Sequence, residues 1–123
     1  MATPYEVKTY LQADTLAVAG LEEVGGQAIN SSVTLTTGGP SAANSNRVGY
    51  VDPSGGIITI TLPVAVYTGY RFRATNVSSS ANAITLDGNG YNINGNPTAS
   101  FSRAYGSMVV EFTGSAYVII GEV

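Results

Sequence analysis

The fold class of this chain is decided by one segment, residues 57–121: IITITLPVAVYTGYRFRATNVSSSANAITLDGNGYNINGNPTASFSRAYGSMVVEFTGSAYVIIG. Its clearest part, Gly56–Leu62, alternates apolar and polar residues at period two, as half-buried β-strands do. The same alternation returns at Tyr70–Asn76, Ser107–Thr113 and Ala116–Glu122. Strands at intervals of about ten residues, joined by tight turns, predict an all-β protein, namely an antiparallel β-sandwich or barrel.

Turn-forming residues separate these strands. Asp87-Gly88-Asn89-Gly90 follows a short strand at Ala83–Asp87, and Asn94-Gly95-Asn96-Pro97 follows another at Tyr91–Ile93. Gly114-Ser115 closes a hairpin. Asp87–Gly90 also has a faint resemblance to a calcium loop, but such loops need several oxygen ligands and a terminal Glu. We therefore interpret it as a type I′ turn without a metal.

The first half of the chain is less regular. Residues 38–46, GGPSAANSN, form a low-complexity loop without a hydrophobic anchor. This loop divides the chain into an extended N-terminal arm or attachment segment, residues 1–46, and a β-rich module, residues 47–123. In the alternative interpretation, everything up to Thr37 contributes strands to one domain. The candidate strands before the loop are Tyr5–Leu11, Thr15–Leu21 and Ala28–Thr37.

Three strings look alike: SSVTLTT at 31–37, IITITL at 57–62 and AITLD at 83–87. Alternation of Val or Ile with Thr is what any strand of this composition shows. We therefore attribute the likeness to strand propensity rather than to an internal repeat.

Composition restricts the classes of partner. Charged residues make up 11% of the 123 residues, against about 25% in typical soluble domains. Ser, Thr, Asn and Gly supply the polarity, which suits a protein that packs against copies of itself or a larger assembly. The net charge is −3 and the five basic residues are scattered, which argues against nucleic acid as a partner. We find neither a signal-peptide pattern nor an apolar run of about 20 residues, so no membrane partner is expected.

Catalytic chemistry has little support. The sequence contains no His and no Cys, which excludes a Ser-His-Asp triad and thiol catalysis. Only carboxylates remain, and a glycosidase needs two at a defined separation. Glu22 and Glu23 are adjacent, so on a strand they point to opposite faces, and Asp52 and Asp87 have the surroundings of turn residues. The other candidates are Asp14, Glu111 and Glu122. We predict no enzyme and no catalytic, cofactor-binding or metal-binding residue.

Tyrosine and arginine are the remaining candidates for binding. Four of the eight tyrosines fall in or beside predicted loops, where sugars stack on exposed aromatic faces, although core or interface packing is the simpler explanation. These are Tyr67, Tyr70, Tyr91 and Tyr105. Arg71 and Arg73 lie two apart on one strand face, where they either bind an acidic patch on a partner subunit or are solvated.

Residues 57–121 resemble a module found in tail-fibre, head-fibre and capsid-decoration proteins of tailed bacteriophages. The family often has a Trp in the closing hairpin, where this chain has Tyr117. The resemblance implies a homotrimer, because such proteins are typically trimeric. The matching segments are Ile60–Pro63, Gly69–Phe72, Ile84–Gly88, Tyr91–Gly95 and Gly114–Ile120.

The resemblance and the short chain together predict a bacteriophage virion structural protein, in first place a capsid decoration (cement) protein. It would be made in the host cytoplasm and reside on the capsid surface, where residues 1–46 contact the major capsid protein. The alternatives are a short head or tail fibre that binds a receptor and, from another class, a carbohydrate-binding module. A host-surface glycan is a further candidate partner.

Overall fold

The computed structural model describes residues 26–39, 42 and 46–123, and within them the protein is all-β, as predicted. The only helical segment in this part of the chain is a 3-10 turn at Pro53–Gly55. The strands are β1 Gln27–Ile29, β2 Val33–Thr34, β3 Val48–Val51, β4 Ile58–Thr61, β5 Arg71–Asn76, β6 Ile84–Asp87, β7 Thr98–Phe101, β8 Ser107–Phe112 and β9 Tyr117–Glu122.

The strands form two mixed sheets, one of five strands in the order β9-β8-β5-β3-β1 and one of four in the order β2-β4-β6-β7. From β1 to β6 the chain alternates between them, so that each of three successive passes adds one strand to each sheet. Strands of the same sheet then stack in parallel. The last strands are antiparallel: β7 adds to β6, while β8 and β9 add to β5.

The prediction of antiparallel pairing is therefore wrong for four of the seven ladders between the described strands. It holds for β5–β8, β6–β7 and β8–β9. Neither sheet closes into a barrel within the described residues. The physical reason lies in what a turn specifies: it reverses the chain locally, but it does not decide whether the next strand joins its neighbour or crosses to the other sheet.

The three similar strings stack on one another. Val33 lies opposite Ile60, and Ile60 lies opposite Leu86. These partners are 27 and 26 residues apart, so the chain returns to the same place after nearly equal intervals. Our attribution of the likeness to propensity alone overlooked this register, because the strings occupy equivalent positions in β2, β4 and β6.

Both sheets contribute side chains to one hydrophobic core. The four-stranded sheet contributes aliphatic residues such as Ile60 and Leu86, which are fully buried. In the five-stranded sheet the alternation predicted for Tyr70–Asn76 is confirmed: Phe72 and Ala74 are fully buried, while Arg71 and Arg73 are exposed. Period-two alternation over a shared core explains why strands form here.

Part of the predicted 1–46 segment joins the sheets. β1 pairs with β3 and β2 pairs with β4, and Gly38 forms an isolated bridge with Val66. Residues 27–38 thus follow the alternative in which this segment contributes strands. The candidates Tyr5–Leu11 and Thr15–Leu21 lie outside the described residues.

Two short strands, β3 and β7, were not anticipated from the sequence, and one predicted strand does not form. Of the predicted strand Tyr91–Ile93, only Ile93 makes isolated bridges, to Asn96 and Tyr117. The intervening residues Asn94 and Gly95 both have positive φ, as a two-residue hairpin turn requires.

Candidate functional site

The described carboxylates serve local structure. Asp52 accepts a hydrogen bond from the Ser54 backbone N–H at 3.0 Å, and the hydroxyl and backbone N–H of Ser54 lower the pKa of Asp52. Asp87 accepts from the Asn89 N–H at 2.8 Å, inside the turn predicted for Asp87–Gly90. Asn89 also donates its side-chain amide to the Leu62 carbonyl. No two of these groups converge on one cavity.

No group of three or more metal-ligating side chains occurs within residues 26–39, 42 and 46–123. The loop with a faint resemblance to a calcium site is a turn closed by the Tyr91 N–H donating to the Gly88 carbonyl. Gly88 is required there, because a Cβ at that position would lie 1.8 Å from the Tyr91 carbonyl oxygen. Asp14, Glu22 and Glu23 lie outside the described residues.

Arg71 and Arg73 share the outward face of β5, as the alternation predicted. Arg71 Nε lies 2.7 Å from Glu111 Oε1 on the neighbouring strand β8. An exposed pair of this kind contributes about 0–1 kcal/mol to stability. Arg73 is exposed and makes no ion pair with a described residue.

The outer face of the five-stranded sheet also carries apolar side chains. Val118 lies opposite Glu111 in the β8–β9 ladder, next to the Arg71–Glu111 pair. Ile120, at the β-bulge of the edge strand β9, and Tyr50 on β3 are exposed as well. We call this surface the charged-apolar face: Tyr50, Arg71, Arg73, Glu111, Val118 and Ile120.

The outer face of the four-stranded sheet is different. Its outward positions are hydroxyl residues in register, including a 2.7 Å contact between the Thr85 and Ser100 hydroxyl oxygens. We call this surface the hydroxyl face: Thr34, Thr59, Thr61, Thr85, Asp87, Thr98 and Ser100. One carboxylate, Asp87, is the only charged group among them.

The four loop tyrosines differ in their surroundings. Tyr70 is buried and donates its hydroxyl to the Asn46 carbonyl. Tyr91 is half-buried, and its ring packs edge-on against Phe112 with centroids 4.8 Å apart. Tyr67 and Tyr105 are exposed, by 59% and 67%. The sequence identified the right loops but did not separate the buried ring from the exposed ones.

Tyr67 lies between two concavities at the end of the five-stranded sheet. The larger, of about 500 Å³, we call the Tyr67 groove, and its lining residues are Val66, Tyr67, Thr68, Tyr91, Phe112 and Gly114. The smaller, of about 140 Å³, we call the Arg47 pocket, and its lining residues are Gly38, Gly39, Arg47, Tyr67, Thr68, Gly69 and Tyr70. The two share Tyr67 and Thr68.

The Arg47 pocket was not expected from the sequence, in which Arg47 is one of several scattered basic residues. Its guanidinium donates to the carbonyls of Gly39 and Ala42 at 2.9 and 3.0 Å. It also lies 5.9 Å from the centre of the Tyr70 ring, within the range of a cation–π contact. Only the folded chain brings residues 38–39, 47 and 67–70 together.

Tyr117 lies behind the groove. Its ring is fully buried and contacts Phe112 and Tyr91, while its hydroxyl has no hydrogen-bond partner among the described residues. Burial raises the pKa of both Tyr117 and Tyr70 above the usual tyrosine value. The two phenols also raise one another's charging cost, since the anion of Tyr117 disfavours that of Tyr70.

Comparison with known proteins gives no relative: no family of known proteins matches the chain, and no curated protein is significantly similar to it. Within the described residues there is no helix long and apolar enough to cross a membrane.

Proposed function

We propose that this chain is a structural protein of a tailed-bacteriophage virion, a capsid decoration protein that binds the head shell as a homotrimer. In this proposal the two sheets are the layers of a β-sandwich and the major capsid protein is the partner. The observation that carries the proposal is the charged-apolar face, which leaves Val118, Ile120 and Tyr50 exposed beside paired opposite charges. Apolar side chains within a rim of charge are typical of protein–protein contacts.

Two further features support a binding role without chemistry. The described carboxylates are engaged in turns or in the Arg71–Glu111 pair, so each already has a structural task. The charged fraction of 11% is low for a small protein in free solution, and burial of surface between protomers compensates for a small core.

A decoration protein of this kind acts by buried area alone. Trimers placed over the seams between capsid subunits add contacts that must be broken before the shell opens under internal pressure. The free energy comes from apolar burial, at about 25 cal/mol per Å², and no covalent bond is made or broken.

Copy number in purified particles tests the role. We expect a molar ratio to the major capsid protein of about one, or about one-third where one class of trimer site is filled, by quantitative mass spectrometry. A few dozen copies per particle would instead identify a short head or tail fibre. Absence from particles would overturn the virion assignment.

The trimer interface is tested by the double variant Val118→Lys/Ile120→Lys, which places two cations among exposed apolar side chains. We expect a trimeric wild type and a folded, monomeric variant by analytical ultracentrifugation with circular dichroism. The matched control Thr59→Lys/Thr85→Lys adds the same charge to the hydroxyl face and should remain trimeric. A monomeric wild type, or a trimeric Val118/Ile120 variant, would contradict the interface.

The attachment role of the N-terminal segment is tested by deletion of residues 2–25. This deletion retains β1 and β2, which belong to the sheets, and so separates attachment from folding. We expect loss of capsid binding by a variant that still melts cooperatively. Unchanged capsid binding would remove the arm from the proposal.

A further inference from the structure

We propose that the Tyr67 groove and the adjoining Arg47 pocket form a glycan-binding site, with one pyranose ring stacked on the exposed face of Tyr67. This inference concerns the isolated protein and does not depend on the shell-binding role. It rests on how Tyr67 is held, on what lies across from it, and on the polar groups around it.

Tyr67 is exposed but fixed. Its N–H donates to the Gly38 carbonyl, its carbonyl accepts from the Tyr70 N–H, and Gly69 N–H donates to Phe112. Gly69 has φ 92°, as the third residue of such a turn requires. The ring edge lies over Gly39, where a Cβ would be 3.4 Å from Tyr67 Cε1. An aromatic platform held in this way loses little conformational entropy on binding.

The groove has the size and lining of a small-molecule site. Its volume of about 500 Å³ falls within the range of about 300–1,000 Å³ typical of ligand pockets. Tyr91 lines the groove together with Tyr67, although the two come from different turns, and Phe112 lies in edge contact with Tyr91. The C–H groups of a pyranose pack well on such rings, because each ring presents a negative π-face to the weakly positive C–H edge.

Polar groups suited to sugar hydroxyls surround the aromatic surface. The Thr68 hydroxyl lines both cavities, and neither the Tyr67 nor the Tyr91 hydroxyl has a hydrogen-bond partner among the described residues. In the Arg47 pocket the guanidinium is held in place by the Gly39 and Ala42 carbonyls. A few fixed polar groups around an apolar surface give orientation to a ligand.

The same geometry disfavours an extended peptide. Phe112 ends β8, which is paired on both sides by β5 and β9, and Val66 is bridged to Gly38. The groove therefore presents side chains rather than a free strand edge, and a peptide could not add by strand pairing. A pyranose needs only the side-chain groups.

The test is a titration of the ¹⁵N-labelled full chain with glucose, galactose, mannose, rhamnose, N-acetylglucosamine and glucuronic acid, followed by NMR. We expect at least one sugar to shift the amide signals of residues 66–69, 91 and 112–114. Tyr67→Ala should weaken that binding by about tenfold or more. Tyr67→Leu, which keeps apolar contact with Gly39 but lacks a flat ring, should weaken it similarly.

The matched control is Tyr105→Ala, which removes a tyrosine of similar exposure at the opposite end of β8 and should leave the affinity unchanged. Three outcomes overturn the site: no sugar of the panel shifts those signals at its solubility limit, Tyr105→Ala weakens binding as much as Tyr67→Ala, or a proline-rich peptide binds there while the sugars do not. The copy number in particles is unaffected by each, so the two proposals fail separately.

Discussion

The two sheets of this protein use the same alternation with different chemistry. The four-stranded sheet turns aliphatic residues such as Ile60 and Leu86 inward and hydroxyls such as Thr85 outward. The five-stranded sheet buries aromatic rings and one amide, Asn76, and turns charges and exposed apolar residues outward. All of the buried polar side chains in the described residues belong to the five-stranded sheet or to the turn that leads into it.

This difference separates stability from recognition. Aliphatic side chains stabilise through burial alone, so the four-stranded sheet needs no particular hydrogen bond to hold its inner face. The five-stranded sheet depends on specific partners for its buried polar groups, and its outer face carries the proposed interface. Stability changes should therefore be similar for apolar truncations in both sheets and different for polar ones.

The largest expected effect is common to both sheets. Phe72→Ala should lower the free energy of unfolding by about 3–5 kcal/mol and Leu86→Ala by about 2–5 kcal/mol, because each leaves a cavity at a fully buried site. Urea unfolding measures both, and Thr59→Ala on the hydroxyl face should cost about 0.5 kcal/mol or less. A negligible cost for either core variant would show that its sheet does not share in one cooperative unit.

Alkaline pH should act on the five-stranded sheet alone. Burial raises the pKa of Tyr70 and Tyr117 in the folded state, so above the unfolded value of about 10 the folded protein binds more protons than the unfolded one. Stability is then full below about pH 10 and falls above it by about 1.4 kcal/mol per pH unit for each tyrosine. Thermal melts between pH 9 and 11 (about one unit on either side of the tyrosine value) test this.

The control for the alkaline effect is the double variant Tyr70→Phe/Tyr117→Phe, in which most of the pH dependence should disappear. If the variant lost stability above pH 10 as steeply as the wild type, the effect would belong to other groups.

Asn76 offers the sharpest contrast between polar groups of the two sheets. Its amide donates to the Ser80 and Arg103 carbonyls and accepts from the Ser78 N–H, at 2.8–3.1 Å. Asn76→Ala leaves these buried groups unpaired and should cost about 2–3 kcal/mol. Thr85→Ala removes the exposed contact with Ser100 and should cost about 0.5 kcal/mol. Equal costs by urea unfolding would remove the distinction between the sheets.

The smallest effect separates two buried phenols in the same region. Tyr70→Phe loses the hydrogen bond to the Asn46 carbonyl and should destabilise by about 1 kcal/mol. Tyr117→Phe removes a buried hydroxyl without a described partner, so it should be neutral or stabilising by up to about 1 kcal/mol. A clear destabilisation by Tyr117→Phe would reveal a partner for that hydroxyl, such as a buried water.

Local signals in the sequence predicted the strand β4, the inward face of β5 and the closing hairpin β8–β9, because period-two alternation and Gly-containing turns act over a few residues. They failed for β3 and β7. Thr98–Phe101 has only one buried position, Phe101, and Val48–Val51 is interrupted by Gly49, so neither carries a full alternation. The candidate site was predicted only as a set of loop tyrosines.

The sequence by itself determined the all-β class, the positions of most turns and the absence of His and Cys chemistry, since each follows from residue type and near neighbours. Only the tertiary structure decided that β1–β6 cross between sheets and stack in parallel, and that Arg47, Tyr67 and Tyr91 meet at one end of a sheet. Those contacts join residues about 20 or more positions apart, and which distant strands pair depends on the burial of whole faces rather than on any local pattern.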